Sequence, residues 1–304
     1  MALSDDLRAE LAAIAPTRGC CRLAEISALF HSAGSVHLQG RGRVALHLDL
    51  SSSAIARRSF SLLRELGIAS EIRTYRRRAF DRATRYQLHV AGEPAATAVL
   101  VEAGVLDHRR APVERPPKRV VGRSCCRGAY LRGALLGGGS LSGPRSPHLE
   151  VRTTSRDGAE FLGRVAAAGD VRLGVLDRGR HAVAYAKGRE AIEAVLSAAG
   201  ATDIVLALEE RSIVAAARAE ANRLANADHA NLVRTSRAAQ EQLEAVRVLQ
   251  RDGTLEQLPD RLGEVVGTER LREEGLERAE VAYVELLLGV TRDEEDWKAR
   301  ADAR

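Results

Sequence analysis

Apolar side chains recur at helical spacing immediately before a run of three glycines. Residues 129–140 read Ala-Tyr-Leu-Arg-Gly-Ala-Leu-Leu-Gly-Gly-Gly-Ser, and Leu131, Ala134 and Leu135 share one face of the predicted helix. Glycine adopts the backbone conformations that end a helix, and it lets a second backbone come close. An earlier segment, Glu25–Ser35, also ends in a small residue followed by Gly-Ser. We therefore expect two helices that pack against each other through small residues.

Strict alternation of apolar and polar positions follows each of these helices and predicts strands. Residues 35–39 and 44–50 alternate, and the glycine–arginine link 40–43 between them is typical of a hairpin. Serines that can cap a further helix, at 51–53 and at Ser155, come next in each half. A second strand pair and a closing helix complete each half, so both halves read αββαββα.

The order of elements repeats at a fixed spacing. Ser35 and Ser140 are 105 residues apart, as are Cys20 and Cys125. A repeat that keeps its landmarks in register predicts two structurally similar halves. The predicted fold class is therefore α+β, with a duplicated αββαββα domain.

These patterns divide the chain into five regions. The first half spans 1–105, a proline-rich basic linker spans 106–123, and the second half spans 124–202. Strand signals are sparse after that point, which predicts an all-α helical connector over 203–252 and a C-terminal region over 253–304.

Composition and charge narrow the function only a little. The chain has 304 residues, 45% hydrophobic, with a formal net charge of +5, which permits an anionic partner. No apolar run reaches the roughly 18–20 residues of a membrane span, and the acidic amphipathic start is unlike a secretory signal. We therefore expect a cytoplasmic protein with no membrane partner.

Two stretches carry a resemblance to known families. The duplicated unit whose helix ends in Gly-Ser resembles the LAGLIDADG homing-endonuclease fold. Arg127–Ser140, together with the Asn-Arg-Leu-Ala-Asn-Ala-Asp-His-Ala-Asn-Leu-Val-Arg pattern within 221–240, resembles the WhiA family over about residues 1–270. WhiA proteins are bacterial regulators of transcription in sporulation and cell division.

The resemblance to WhiA implies both function and partners. It implies a DNA-binding transcriptional regulator involved in cell division, chromosome segregation and sporulation, associated with the nucleoid. The implied partners are double-stranded promoter DNA and another transcription regulator or RNA polymerase, with no small-molecule substrate. The alternative is a protein-interaction scaffold that has lost specific DNA reading through a diverged C-terminus.

The resemblance to homing endonucleases also indicates which chemistry is missing. Those enzymes hold divalent metals with one carboxylate from each motif helix, at the residue before Gly-Ser. Ala33 and Gly138 occupy these positions, and neither has a ligand atom. Glu25 lies more than two helical turns upstream. We therefore expect no nuclease activity, no catalytic residue, no cofactor and no metal.

Arginines in three regions are the candidate DNA contacts. They lie in the loops and hairpins of the first half, on the helical connector and in the C-terminal region, where guanidinium groups can bind phosphates or guanine edges. Solvated surface charge in an arginine-rich protein is the alternative. The set comprises Arg41, Arg43, Arg76, Arg77, Arg78, Arg223, Arg234, Arg237, Arg261 and Arg270. Arg85 and Arg178 lie on the same strand and hairpin surface.

The C-terminal region departs from the family pattern. The resemblance implies a helix-turn-helix in 253–304, and residues 255–266 resemble its entry helix. From about Arg270 the family's recognition helix is not found, and Asp293–Asp296 would repel phosphates. A diverged or frameshifted end explains this. On the connector we expect a break at 226–230, with Asn226 and Asn231 as helix caps rather than contacts to phosphates or bases.

Cysteines and histidines are the remaining candidate ligands. Cys20-Cys21 and Cys125-Cys126 lie near the starts of the two motif helices, so a site of four thiolates is one interpretation. Adjacent cysteines point in divergent directions, which favours buried small residues instead, and a redox sensor is a third interpretation. We expect His31, His37 and His47 to be surface residues.

Overall fold

The computed structural model describes residues 3–38, 44–76, 84–143 and 147–253. The chain divides into two units, Met1–Ala217 and Arg218–Arg304.

The first half of the duplicated unit has the order of elements that the sequence predicts. Its first helix precedes the repeat, and the remaining elements follow the αββαββα order. The elements are α1 Leu3–Ala13, α2 Gly19–Ala33, β1 Gly34–Leu38, β2 Val44–Leu50, α3 Ser53–Glu65, β3 Glu71–Arg76, β4 Thr84–Ala91 and α4 Pro94–Glu102.

The second half repeats this order after a link that contains one short 3₁₀ turn, Lys118–Val121. Its elements are α5 Ser124–Gly138, β5 Gly139–Ser142, β6 His148–Thr153, α6 Arg156–Ala167, β7 Gly174–Asp177, β8 Ala182–Lys187 and α7 Arg189–Ala199. The predicted α+β fold with a duplicated αββαββα domain is confirmed.

Each half contains one antiparallel sheet of four strands. The strand orders are β1-β2-β4-β3 and β5-β6-β8-β7. The registers also correspond, since Gly34 pairs with Leu48 in the first sheet and Gly139 pairs with Val151 in the second. Leucine and valine side chains on one face of each sheet are buried against the helices. The opposite face of each sheet, here called the polar face, carries the more exposed residues of the alternation, such as His47 and Asp49 in the first sheet and Glu150 and Arg152 in the second.

Serine caps begin the helix that follows the first strand pair in each half. The Ser52 hydroxyl accepts a hydrogen bond from the Ile55 N–H, and the Ser155 hydroxyl accepts one from the Gly158 N–H. These contacts satisfy amide donors that the first helical turn leaves unpaired. The predicted capping by Ser155 and within 51–53 is therefore observed.

The two motif helices, α2 and α5, pack against each other along the centre of the unit. A Cβ atom placed on Gly133 would lie 2.3 Å from the Glu25 carbonyl oxygen, and one on Gly137 would lie 2.1 Å from the Ser32 hydroxyl. Only glycine permits this approach, so the expected packing through small residues is observed.

One long helix, α8 Thr202–Arg251, follows the second half. The expected break at 226–230 is wrong: the segment is helical throughout, so Asn226 and Asn231 are not capping residues. The segment contains neither Gly nor Pro, and Asn or Asp inside a helix costs only about 0.7 kcal/mol relative to Ala. No described helix is long and apolar enough to cross a membrane.

Candidate nucleic-acid interface

The end of α5, which packs against the end of α2, lies at a cleft that is lined by arginines. Ala33 and Gly138 are the last residues of α2 and α5, and their side chains, a methyl group and a hydrogen atom, offer no ligand atom. A Cβ on Gly138 would lie 2.2 Å from the Arg152 carbonyl oxygen of β6. The backbone of β6 would therefore have to move before a carboxylate could stand there.

The cleft beside these helix ends has a volume of about 280 Å³. Its floor is the glycine run 137–139, and charged side chains from α1, β2, β4, β6 and the β7–β8 turn surround it. These are Arg8, Arg85, Arg152, Arg178, Asp49 and Glu150. Four guanidinium groups thus face two carboxylates, and the cleft favours an anion over a divalent cation.

Contacts within the cleft hold part of this charge in place. The Arg8 guanidinium donates to the Gly139 carbonyl oxygen at 2.8 Å and to the Asp5 carboxylate at 3.1 Å. Arg178 lies 3.5 Å from the Glu150 carboxylate, which also contacts the His148 ring at 2.9 Å. Arg152 is exposed on β6.

The polar face of the first sheet carries a row of three histidines. His37, His47 and His89 lie on β1, β2 and β4, with ring centroids 4.4 Å and 4.8 Å apart between neighbours. Burial, followed by the neighbouring histidines, lowers the pKa of His47. Three imidazole rings in mutual contact, tilted by 36° and 54° between neighbours, therefore occupy the centre of this face. His37 is exposed, as expected.

Glu25 is not available to replace the missing acids. It is fully buried in α2, where Arg58 of α3 donates to one carboxylate oxygen at 3.1 Å and Arg132 of α5 donates to the other at 2.9 Å. Burial raises the pKa of the Glu25 carboxyl, and the two guanidinium groups oppose that shift. Glu25 therefore ties α2 to α3 and α5.

His31 is a second correction to the sequence-based expectation, since it is buried rather than at the surface. Its Nδ1 lies 2.7 Å from the Ser27 carbonyl oxygen and its Nε2 lies 3.1 Å from the Val113 carbonyl oxygen. Burial lowers the pKa of the ring. The histidine thus anchors the link between the two halves to α2.

The four cysteine side chains converge, contrary to the expectation that adjacent cysteines point apart. Their Sγ atoms all lie within 4.8 Å of one another. Burial raises the pKa of Cys21 to about 11 and that of Cys126 to about 12. A hydrogen bond with Cys21, and then one from Arg18, lowers the pKa of Cys125 to about 7.

The predicted DNA contacts are only partly placed by the structure. Arg76 ends β3 and is exposed. On α8, Arg223 pairs with Glu220, Arg237 pairs with Glu241, and the Arg234 guanidinium donates to the Ala230 carbonyl oxygen. The other members of the set lie outside the described residues: Arg41, Arg43, Arg77, Arg78, Arg261 and Arg270.

Two arginines of the cleft were missed by sequence reasoning. Arg152 alternates with the buried Leu149, Val151 and Thr153 on β6, so its strand position was a usable signal. Arg8 comes from a helix that precedes the repeat, and nothing in its local sequence indicates the contact with Gly139.

Family models match most of the chain. The model of the WhiA N-terminal LAGLIDADG-like domain matches residues 19–106, and the model of the WhiA LAGLIDADG-like domain matches 127–218. The model of the WhiA C-terminal HTH domain matches 221–277.

Relatives and a solved structure agree with these models. The chain is 35% identical over 267 residues to a probable cell division protein WhiA of Heliobacterium modesticaldum, covering 87% of this chain and 84% of that protein. It is 32% identical to one of Symbiobacterium thermophilum, covering 88% and 86%. The crystal structure of full-length DUF199/WhiA from Thermatoga maritima matches with a TM-score of 0.60 at 20% identity, covering 88% of this chain and 85% of that chain. The chain belongs to the WhiA family.

Proposed function

We propose that the chain is a DNA-binding transcriptional regulator that acts in cell division, chromosome segregation and sporulation, without nuclease activity. Its proposed partners are double-stranded promoter DNA and another transcription regulator or RNA polymerase. The proposed location is the cytoplasm, at the nucleoid. The observation that carries the DNA-binding part is the arginine-lined cleft at the end of α5.

The cleft supports DNA binding through its charge and its position. Phosphate oxygens are the anions that arginines bind with bidentate geometry, and such contacts position a protein on a duplex without reading sequence. Both sheets border the cleft, the first through Asp49 and Arg85 and the second through Glu150 and Arg152. The match to a helix-turn-helix model over 221–277 adds a second DNA-binding element, which we propose reads the base sequence.

The same cleft supports the absence of cleavage. Hydrolysis of a phosphodiester by this class of fold needs two carboxylates to hold divalent metals at the helix ends. Ala33 and Gly138 supply no carboxylate. The cleft at the end of α5 is also rich in cations, which would repel a metal ion. We therefore propose that the motif helices retain a structural role and not a catalytic one.

The double variant Arg152→Gln, Arg178→Gln tests the cleft as a phosphate-binding surface. Each phosphate contact that is lost should reduce the slope of log affinity against log salt concentration by about 1, so the double variant should lose roughly 2. Fluorescence anisotropy with a labelled promoter duplex at several salt concentrations measures the slope. Binding should weaken similarly on unrelated duplexes, because phosphate contacts carry no sequence information.

A variant with the same loss of charge provides the control. Arg57 of α3 and Arg156 of α6 are exposed on helices that cover the opposite faces of the sheets. The variant Arg57→Gln, Arg156→Gln should retain the slope of the unmodified chain. Equal slopes for the unmodified chain and the Arg152→Gln, Arg178→Gln variant would exclude the cleft as a DNA contact.

A further inference from the structure

The start of the motif-helix pair, opposite the arginine cleft, holds four cysteines. Cys20 and Cys21 lie in the first turn of α2, and Cys125 and Cys126 lie in the first turn of α5. A helix of 15 residues is about 20 Å long, so this group is separated from the cleft by the length of the helices. The cysteines are free, and nothing in the proposed DNA-binding function uses them.

We propose that these four cysteines form a metal site that binds one zinc-class divalent ion and joins the two halves of the duplicated domain. The sulfur atoms already lie within 4.8 Å of one another. A tetrahedral zinc ion with four thiolates has Zn–S distances near 2.3 Å, which places its sulfur atoms about 3.8 Å apart. A contraction of less than about 1 Å per sulfur pair therefore completes the site.

Pairing across the two halves explains how adjacent cysteines can share one ion. Within one helix, neighbouring side chains diverge, so two adjacent cysteines alone make a poor site. Here the sulfur atoms of Cys20 and Cys21 on α2 lie within 4.8 Å of those of Cys125 and Cys126 on α5. Each helix thus supplies one buried and one partly exposed sulfur, and the four converge on a common centre.

Two arginines supply the positive charge that such a site needs. Four thiolates around a divalent ion form a dianion. The Arg18 guanidinium lies 3.6 Å from the Cys125 sulfur, and the Arg123 guanidinium lies 3.7 Å from the Cys20 sulfur. Each arginine therefore crosses to the other half, and each reaches the more exposed sulfur of that pair.

The surroundings of the sulfurs favour a thiolate site over one with carboxylate ligands. Neither α2 nor α5 has an acidic residue in its first turn. Helix N-termini carry partial positive charge, which favours thiolates at this end of both helices. All four ligands are soft sulfur atoms, a set that selects zinc over magnesium or calcium. Binding converts four thiols to thiolates and releases their protons to the buffer. This proposal differs from the expectation of no metal, which was based on the ends of the two motif helices.

Metal analysis of the full-length chain tests this site. Chain purified under reducing conditions and equilibrated with zinc chloride should retain about one zinc ion after dialysis. Cobalt(II) added in place of zinc should give the intense near-ultraviolet sulfur-to-metal absorption and the visible bands of tetrahedral tetrathiolate coordination. The Cys20→Ser, Cys125→Ser variant removes one sulfur from each half and should lose retained zinc and both sets of bands.

A second variant keeps the test decisive if the serine variant fails to fold. Arg18→Gln, Arg123→Gln leaves all four sulfurs in place and removes only the groups that contact them. It should still bind zinc, with affinity lowered roughly 10- to 100-fold, as is typical when partners of metal ligands are lost.

Two results would overturn the proposal. One is a reduced, unmodified chain that retains no zinc and gives no cobalt sulfur bands. The other is a mass measured on chain purified without reductant that is about 2 Da per disulfide bridge below the mass of the reduced chain. Such a mass would show that the cysteines form disulfides between the halves in place of a metal site.

Discussion

Replacing Glu25 with Gln is expected to lower the free energy of unfolding by about 3–5 kcal/mol, because it removes one partner from a buried ion pair. Glu25 is fully buried and binds two guanidinium groups, those of Arg58 and Arg132, which are themselves at most 10% exposed. Gln has nearly the same shape, so the change removes charge and leaves two buried cations without their counter-ion. Four of the five tyrosines lie before residue 218, so near-ultraviolet circular dichroism in urea follows unfolding of that unit.

A half-exposed ion pair on the same helix provides the control for Glu25. Arg22 of α2 and Glu65 of α3 lie 2.6 Å apart, with side chains 28% and 36% exposed. Glu65→Gln should cost no more than about 1 kcal/mol, because solvent screens this pair. Similar costs for the two variants would show that Glu25 is not the buried link between α2, α3 and α5.

Substituting alanine for Gly133 is expected to lower the free energy of unfolding by about 1–3 kcal/mol, since overpacking of a close contact costs that much. The added methyl group would stand 2.3 Å from the Glu25 carbonyl oxygen and 3.0 Å from the Ala28 side chain. Neither neighbour is the mobile end of a long side chain, so α2 and α5 must separate. Urea unfolding of the full chain, followed as for Glu25, measures the cost.

Gly163 offers a matched control, because it also lies inside a helix. A Cβ on Gly163 would have the Leu173 carbonyl oxygen 4.0 Å away, which is ordinary contact. Gly163→Ala should therefore stabilise the chain by about 0.4–1 kcal/mol. A Gly133→Ala variant that is as stable as the unmodified chain would contradict the close packing of the motif helices.

The duplicated architecture could be predicted from the sequence because its signals are local. The alternation of apolar and polar residues predicts the strands, and Ser155 predicts the start of α6. The constant spacing of 105 residues between matching landmarks predicts that the two halves have similar structures. The arginine cleft could not be predicted as a unit, since Arg8, Arg85 and Arg152 come from three different elements that only the tertiary fold brings together.

Two errors have a common physical cause. The segment 226–230 contains Asn226 and Asp228 and suggests a break because Asn and Asp favour caps, yet both also occur inside helices when no breaker is present. The cysteines were expected to diverge because adjacent side chains on one helix do diverge. In both cases the tertiary structure overrides a local preference: α8 continues through 226–230, and the packing of α2 against α5 brings the four cysteines together.

We propose above all that the chain uses its duplicated LAGLIDADG-like domain to hold DNA without cutting it. In the most direct measurement, the full-length chain is incubated in the presence of magnesium with supercoiled plasmid that carries a promoter to which the chain binds. The account predicts a retarded complex that yields fully supercoiled plasmid once the protein is removed. Nicked or linear plasmid in the reaction with magnesium, but not in a parallel reaction with a chelator, would contradict the proposed absence of cleavage. The absence of any complex at low salt would contradict the proposed DNA binding.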